Sequence, residues 1–201
     1  MELRTLISAL DTPQVVGVDQ LEIGQIVSDS RRVVPGSLFV AVRGVAVDGH
    51  QYIASAIEKG AVAIVCEEYP KELADKATFV VVKDSAYALG LLLSKSYGDP
   101  SQKLKLVGVT GTNGKTTIAT VLYELFRRLG YKVGLLSTVC NYIDGEAIPT
   151  DHTTPDPITL HALIARMVEA GCTYAFMEVS SHSIDQRRIS GLDFDGGIFT
   201  N

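Results

Sequence analysis

The chain has 201 residues, 46% of them hydrophobic, with a net charge of −5 and a pI near 5.3. That is enough apolar material for one large domain or two small ones, and the acidic balance argues against the basic surface that a nucleic-acid partner selects, so no nucleic-acid partner is expected. Cys66, Cys140 and Cys172 are odd in number and sit in apolar or strand-like contexts, so they read as reduced and buried, and no metal-ligand spacing joins them to the histidines.

Met1-Glu2-Leu3-Arg4 lacks the basic-then-apolar pattern of a secretory leader and no apolar run reaches membrane-spanning length, so a cytoplasmic protein without membrane insertion is expected. Ser37 to Val42 and Ala61 to Cys66 are apolar, β-rich runs, and between them His50 to Gly60 places Ile53, Ala56 and Ile57 on one helical face. Thr78 to Val82 is a further strand, after which Ser85 is placed to N-cap a helix through Leu89, Leu92 and Leu93 that ends near Gly98. Tyr97-Gly98-Asp99-Pro100-Ser101-Gln102 breaks the periodicity and marks a boundary between two domains, residues 1–98 and 103–201.

Beyond the boundary, Leu104 to Val109 predicts a buried strand. Ile118, Val121, Leu122, Leu125 and Leu129 predict the buried face of a helix closed by Gly130. Lys132 to Ser137 is the next strand, and Asp144-Gly145 within Asn141 to Thr150 signals a hairpin. Pro157 suits the first turn of a helix that buries Leu160, Leu163, Ile164, Met167 and Val168 and ends at Gly171. Tyr174 to Val179 and Gly197 to Thr200 are two more strands. The alternation implies an α/β protein: a small N-terminal α/β domain, then a partial phosphate-loop domain with a mostly parallel sheet, whose ligands sit at the C-terminal ends of the strands. About four strands are few for a doubly wound sheet, so the chain reads as the front part of a longer protein.

Between the strand at Leu104 and the helix at Ile118 lies Thr110-Gly111-Thr112-Asn113-Gly114-Lys115-Thr116-Thr117, a phosphate-binding loop. Gly111 and Gly114 let the backbone turn its N–H groups toward phosphate oxygens, and the helix N-terminus adds partial positive charge. Lys115 is placed to reach the β- and γ-phosphates of ATP and the Thr116 hydroxyl to sit on Mg²⁺, within an ATP site made by Gly111, Thr112, Asn113, Gly114, Lys115, Thr116 and Thr117. The strict motif has glycine where this chain has Val109, and a plain glycine turn with an exposed lysine is the alternative; agreement of strand, loop and helix favours the nucleotide. Glu178 ends a predicted strand, where its carboxylate can meet Mg²⁺ held by Thr116; the alternative is a charge that merely ends the strand.

Four separated segments resemble the Mur ligases, in the same order over essentially the whole chain, and within them the MurE branch. They are the Thr-Gly-Thr-Asn-Gly-Lys-Thr loop, Ser28-Asp29-Ser30-Arg31, Thr153-Thr154-Pro155, and Met177-Glu178-Val179-Ser180-Ser181-His182 followed by Gln186 and Arg188. The resemblance implies an ATP-dependent amide ligase, using ATP and Mg²⁺. Such an enzyme adds the third stem-peptide residue, meso-diaminopimelate or lysine, to UDP-N-acetylmuramoyl-L-alanyl-D-glutamate in peptidoglycan synthesis. It implies that residues 1–98 carry the UDP end of the substrate, with Ser30 as its anchor, and that residues 103–201 are a truncated ATP-binding central domain. Thr153, Thr154, Ser180, Gln186 and Arg188 match positions that contact the UDP-muramoyl-dipeptide, Arg188 being suited to a carboxylate or phosphate. The glutamate matching Glu178 is a magnesium ligand in the family.

On composition alone, Thr153-Thr154-Pro155 would be a helix lead-in, Arg187-Arg188 a solvated pair, and Ser30 part of a turn before Arg31-Arg32. Family members commonly carry asparagine where this chain has His152. His182 reads as orienting the Glu178 loop or packing rather than as a base. Val47 to His50 fall where the family's uracil-contacting segment does, and the apolar Val45 to Val47 leave base contact mainly to backbone.

The implied chemistry is acyl-phosphate formation on the D-glutamate carboxylate, then displacement of phosphate by the incoming amine, with no covalent protein nucleophile. Lys115 and Mg²⁺ would meet the charge that builds on the phosphoryl oxygens. The family's second magnesium site, with a histidine just past Asn201 and a carbamylated lysine further on, and the domain that binds the added amino acid lie outside these residues. The chain alone is therefore expected to bind, as a monomer, without turnover. MurF and folylpolyglutamate synthetase share the loop chemistry, and a non-catalytic nucleotide-binding fragment is a reading from another class. The Glu-Val-Ser-Ser-His run with Thr-Thr-Pro favours the MurE branch.

Overall fold

The structure, a computed structural model, describes residues 1–44, 47–150 and 154–201. The chain divides into two compact units, Met1–Ser96 and Tyr97–Asn201.

The first unit holds helices α1 (Leu3–Ile7), α2 (Ile53–Glu58) and α3 (Ser85–Ser96) and strands β1 (Gln14–Val16), β2 (Gln25–Val27), β3 (Ser37–Val40), β4 (Ala61–Cys66) and β5 (Thr78–Val81). Among the described residues the strands form a five-stranded sheet ordered β1-β5-β4-β3-β2, parallel except for β1. β3 is buried along its whole length and β4 nearly so, as continuous apolar runs in a parallel sheet must be. Phe39, Ile64 and Phe79 pack with Ile53 and Ala56 of α2. The start of α3 differs from the sequence expectation. Asp84 takes the capping role, its carboxylate accepting the Tyr87 N–H at 2.8 Å, while Ser85 is buried and turns its hydroxyl to Glu67 at 2.9 Å. A carboxylate competes for orphan amides at a helix start as well as a hydroxyl does, and Glu67 draws the hydroxyl away.

The second unit runs β6 (Lys105–Thr110), α4 (Lys115–Arg128), β7 (Val133–Leu136), β8 (Asn141–Ile143), β9 (Glu146–Ile148), α5 (Pro157–Glu169), β10 (Tyr174–Glu178), α6 (Ser181–Asp185) and β11 (Gly196–Phe199). Among the described residues these strands form a six-stranded sheet ordered β11-β6-β10-β7-β8-β9. β11, β6, β10 and β7 are parallel, and the β8–β9 hairpin extends the sheet antiparallel. Asp144 and Gly145, with φ of 47° and 94°, make the tight turn that hairpin twist favours. Successive residues point to opposite faces: Leu135 and Phe176 join Ala119 and Tyr123 of α4, whereas Leu136 and Met177 join Leu160, Leu163, Ile164 and Met167 of α5.

The buried face of α4 is rotated from the one its apolar spacing predicts. Ala119 and Tyr123 are buried, Ile118 and Leu122 only partly, and Val121, Leu125 and Leu129 are exposed. The cause is the loop before the helix. Thr116 is turned toward Glu178, and residues three and seven further on share its side of the helix.

Candidate functional site

Four parallel strands end on one edge of the second sheet, and their ends supply the site. β6 leads directly into the phosphate loop. Gly111 and Gly114 have φ of +133° and +84°, conformations that side chains rarely adopt. A Cβ on Gly111 would lie 2.1 Å from Thr200 Oγ1, so glycine is required both for the turn and for the close approach of the chain after β11. The Thr200 hydroxyl bonds the carbonyls of Thr110 (3.1 Å) and Asn113 (2.5 Å), and Asn201 receives the amides of Thr112 (2.8 Å) and Asn113 (3.1 Å). Lys115 folds over the loop, its ammonium donating to Gly111 O at 2.7 Å and Thr112 O at 3.3 Å. These bonds hold a cation against the cradle. Thr117 is exposed in the first turn of α4. Val109, where a strict motif has glycine, lies in β6 with its side chain in the core.

Glu178, at the end of β10, is 1% exposed. Its carboxylate accepts hydrogen bonds from Thr116 Oγ1 (2.9 Å), Thr138 N (2.8 Å) and Thr138 Oγ1 (3.1 Å). Thr138, just past β7, is a member of this corner that the sequence reading missed; the only signal was a hydroxyl at a strand's C-terminal end. The donor set fits Mg²⁺. Thr116 and Glu178 offer hard oxygens beside a phosphate cradle, and Mg²⁺ takes one or two protein ligands and completes its shell from phosphates and water. Among the described residues no cluster of three or more His, Cys, Asp or Glu forms a self-sufficient metal cage.

Behind Glu178 lies a second group of expected residues. Thr154 is 2% exposed and donates its hydroxyl to Glu178 O at 3.1 Å. Its own carbonyl accepts Arg188 Nη1 at 3.1 Å, while Arg188 Nε and Nη2 grip Gln186 Oε1 at 3.0 and 2.7 Å. The structure therefore brings Thr154, Gln186 and Arg188 together and ties them to Glu178. Arg188 is not a solvated surface arginine. The Ser180 hydroxyl caps α6, accepting Ser183 N at 3.1 Å. His182 is exposed on α6 and makes none of the Glu178 hydrogen bonds, so the expectation that it orients the Glu178 loop or packs is corrected: α6 starts at Ser181 and turns its second residue outward. Thr153 and His152 lie outside the described residues.

Ser30 belongs to the first unit. It is buried at the start of a 3-10 turn, its carbonyl accepting Lys59 Nζ at 2.9 Å. Asp29 caps that turn. Hydrogen bonds from the Arg31 side chain, then from its backbone N–H, hold the carboxyl of Asp29 down to about 2. The segment from Val47 to His50 is also built tightly. Asp48 accepts from His50 N at 3.0 Å and His50 Nδ1 at 2.6 Å, and Glu67 N donates to His50 Nε2 at 2.9 Å. The backbone bond from His50 is the main reason the Asp48 carboxyl lies below its usual range. A Cβ on Gly49 would come within 2.8 Å of the Val42 backbone. Val45 and Ala46 lie outside the described residues.

Comparison with known proteins points to one family. Residues 22–97 match the family described as Mur ligase family, catalytic domain, and residues 109–201 match the Mur ligase middle domain. The chain is 77% identical, over all of its 201 residues and 41% of the relative, to the UDP-N-acetylmuramoyl-L-alanyl-D-glutamate--2,6-diaminopimelate ligase of Parabacteroides distasonis. A solved structure of a ligase of that name superposes on 100% of the chain, and 40% of that protein, with a TM-score of 0.78 at 23% identity, which shows the shared fold. The MurF ligase of Thermotoga maritima, solved in complex with ADP, matches 78% of the chain and 32% of its own length at a TM-score of 0.50 and 27% identity. The chain spans about two fifths of the length of the curated relatives it matches. Among the described residues no helix is long and apolar enough to cross a membrane.

Proposed function

The chain belongs to the Mur ligase family, and from that premise we propose that it is the nucleotide-binding part of an ATP-dependent amide ligase that joins 2,6-diaminopimelate to UDP-N-acetylmuramoyl-L-alanyl-D-glutamate in peptidoglycan synthesis. The observation that carries this reading is the buried Glu178 carboxylate bonded at 2.9 Å to the phosphate-loop hydroxyl of Thr116. A loop lysine, a loop hydroxyl and a buried carboxylate at adjacent strand ends form a site for a metal-bound nucleoside triphosphate.

Each residue then has a role. Gly111 and Gly114 turn the backbone of residues 111–117 around the phosphates, and the N-terminus of α4 adds its dipole. Lys115 leaves the carbonyls of Gly111 and Thr112 for the phosphoryl oxygens, where negative charge builds as the substrate carboxylate attacks and later as phosphate departs. Thr116 and Glu178 would hold Mg²⁺, which when bound neutralises charge on the transferring phosphoryl group. Thr138 keeps the Glu178 carboxylate aimed at Thr116. Thr153, Thr154, Gln186 and Arg188 receive the acidic UDP-dipeptide, Arg188 presenting a planar donor edge to a carboxylate or phosphate, with Ser180 nearby as cap and contact. The first unit takes the uridine-diphosphate end, with Ser30 as an anchor. We read the enzyme as cytoplasmic, a location that its three free thiols support, and as a monomer.

The relatives' names favour 2,6-diaminopimelate over lysine, and this ligase over its MurF and folylpolyglutamate synthetase sisters. Because the chain spans about two fifths of those relatives, turnover is assigned to the full-length protein and binding to this part. The test is phosphate release by the full-length protein with ATP, the UDP-dipeptide and either 2,6-diaminopimelate or lysine. Release that requires both the UDP-dipeptide and 2,6-diaminopimelate, and that Lys115→Ala abolishes, is the expected result. Release independent of the UDP-dipeptide, or near-normal turnover by Lys115→Ala, would overturn the assignment.

A further inference from the structure

We infer that His161 is a positioning residue for the Arg188 guanidinium, its Nε2–H holding the Ser190 carbonyl and so fixing the turn that aims Arg188 at the UDP-dipeptide. The inference rests on the reading of Arg188 as a substrate contact and adds to it the residue that sets its aim.

His161 occupies a place where an aliphatic side chain would be the ordinary choice. It lies on α5 between core residues Leu160, Leu163 and Ile164, and it is 0% exposed. Its Nδ1 is buried with no partner among the described residues. A buried imidazole with one nitrogen unmet is a poorer stabiliser than leucine, because the polar atom loses water and gains nothing. What the ring supplies that leucine cannot is the other nitrogen, 3.1 Å from Ser190 O. The acceptor is a carbonyl, so Nε2 carries the proton. Burial holds the ring's pKa down at about 4, so over the working range that single proton stays committed to Ser190.

Ser190 closes the turn that carries Arg188. Its N–H donates to Arg187 O at 3.1 Å, and Arg187 has a φ of +58°, a left-handed conformation that costs a non-glycine residue energy and persists only when its neighbours hold it. On the α6 side, Arg188 N donates to Ser183 O at 2.8 Å. On the other side the holds are Ile189, partly buried against the α5 core, and the hydrogen bond from His161 on that helix. The guanidinium between them reaches Gln186 Oε1 and Thr154 O, and Thr154 continues to Glu178. Packing of Ile189 holds the chain to the core, and the directional bond from His161 fixes the carbonyl that orients the short turn bearing the arginine.

The test is steady-state kinetics on the full-length ligase. His161→Leu fills the volume without the donor and should raise the KM for the UDP-dipeptide about tenfold, as the loss of one well-placed hydrogen bond does, with a smaller change in kcat and the KM for ATP within about twofold of wild type. His161→Gln, whose amide reaches the same carbonyl, should restore the KM. In an Arg188→Ala background His161→Leu should add nothing further, because the group it positions is gone. An altered melting temperature with an unchanged UDP-dipeptide KM, or a penalty that persists without Arg188, overturns the inference. If His161→Leu does not fold, His161→Asn replaces it: the amide is too short to reach Ser190, and equal KM values for the Asn and Gln variants overturn the inference. Failure of the underlying assignment looks different, since wild type itself would then show no turnover dependent on the UDP-dipeptide.

Discussion

Glu178→Gln keeps the size of the side chain and removes its charge, which separates a metal ligand from a structural bolt. The carboxylate is 1% exposed and accepts hydrogen bonds from Thr116 Oγ1, Thr138 N and Thr138 Oγ1 at 2.9, 2.8 and 3.1 Å. The amide keeps one acceptor oxygen for Thr138 N, while its NH2 must donate to the two threonine hydroxyls, which turn to accept. A hydrogen bond to a charged acceptor contributes about 1.5–3 kcal/mol against about 0.5–1.5 for a neutral one, so the exchange loses roughly 3 kcal/mol in all. Against that stands the desolvation of a buried carboxylate held by hydrogen bonds rather than an ion pair, an effective cost of several kcal/mol that the amide avoids. The two effects nearly cancel, and the melting temperature should move by only a few degrees. Metal binding has no such compensation. Disturbing even a hydrogen-bond partner of a metal ligand costs roughly 10–100-fold, so losing the charged ligand itself should weaken Mg²⁺-dependent nucleotide binding by at least that much. The assay is titration of a fluorescent ADP analogue into the full-length protein with and without Mg²⁺, beside thermal melts. An unchanged Mg²⁺ dependence would remove Glu178 from the metal site, and a fall in melting temperature above about 10 °C would show that its hydrogen bonds dominate instead.

Gly111→Ala should weaken nucleotide binding and destabilise the second unit by about 1–3 kcal/mol, since the new Cβ meets Thr200 Oγ1 at 2.1 Å in a backbone conformation suited to glycine; wild-type affinity in the same titration would count against the loop geometry. His161 gives a pH dependence whose sign is fixed. Burial lowers its pKa from 6.5 to about 4, so between these values the unfolded chain binds a proton that the folded one does not; its contribution is complete above pH 6.5 and up to about 3 kcal/mol is lost as pH falls toward 4. Denaturant melts of wild type and His161→Gln across that window should differ in slope, and parallel curves would refute the burial argument. Gly134→Ala drives a Cβ to 2.3 Å from Met167 Sδ in the sheet–α5 core and should cost about 1–3 kcal/mol, most of it recovered by Met167→Val in the double variant; additive losses would show that the strain lies elsewhere.

What could be read from the chain was what is local along it. The phosphate loop, the buried strands around it and the Asp144-Gly145 hairpin each announce themselves within a dozen residues, because their periodicity and turn chemistry are local. The three-residue strands β1 and β2 carry no usable period and exist only because β5 and β3 offer them an edge. Thr138 illustrates the same divide at the site. It is forty residues from Glu178 in sequence and bonded to it only because β7 lies next to β10 in the sheet order. His161 reads as one polar letter in an apolar helix face until the turn at Ser190 is folded beneath it. The rotation of α4 belongs with these. Apolar spacing leaves two neighbouring stripes to choose between, and the choice falls to Thr116, which must face Glu178 and so brings Ala119 and Tyr123 onto the sheet. The same contact that prepares the phosphate loop for a metal therefore also decides which side of α4 is core, so that the geometry of the site and the packing of the helix are one constraint rather than two.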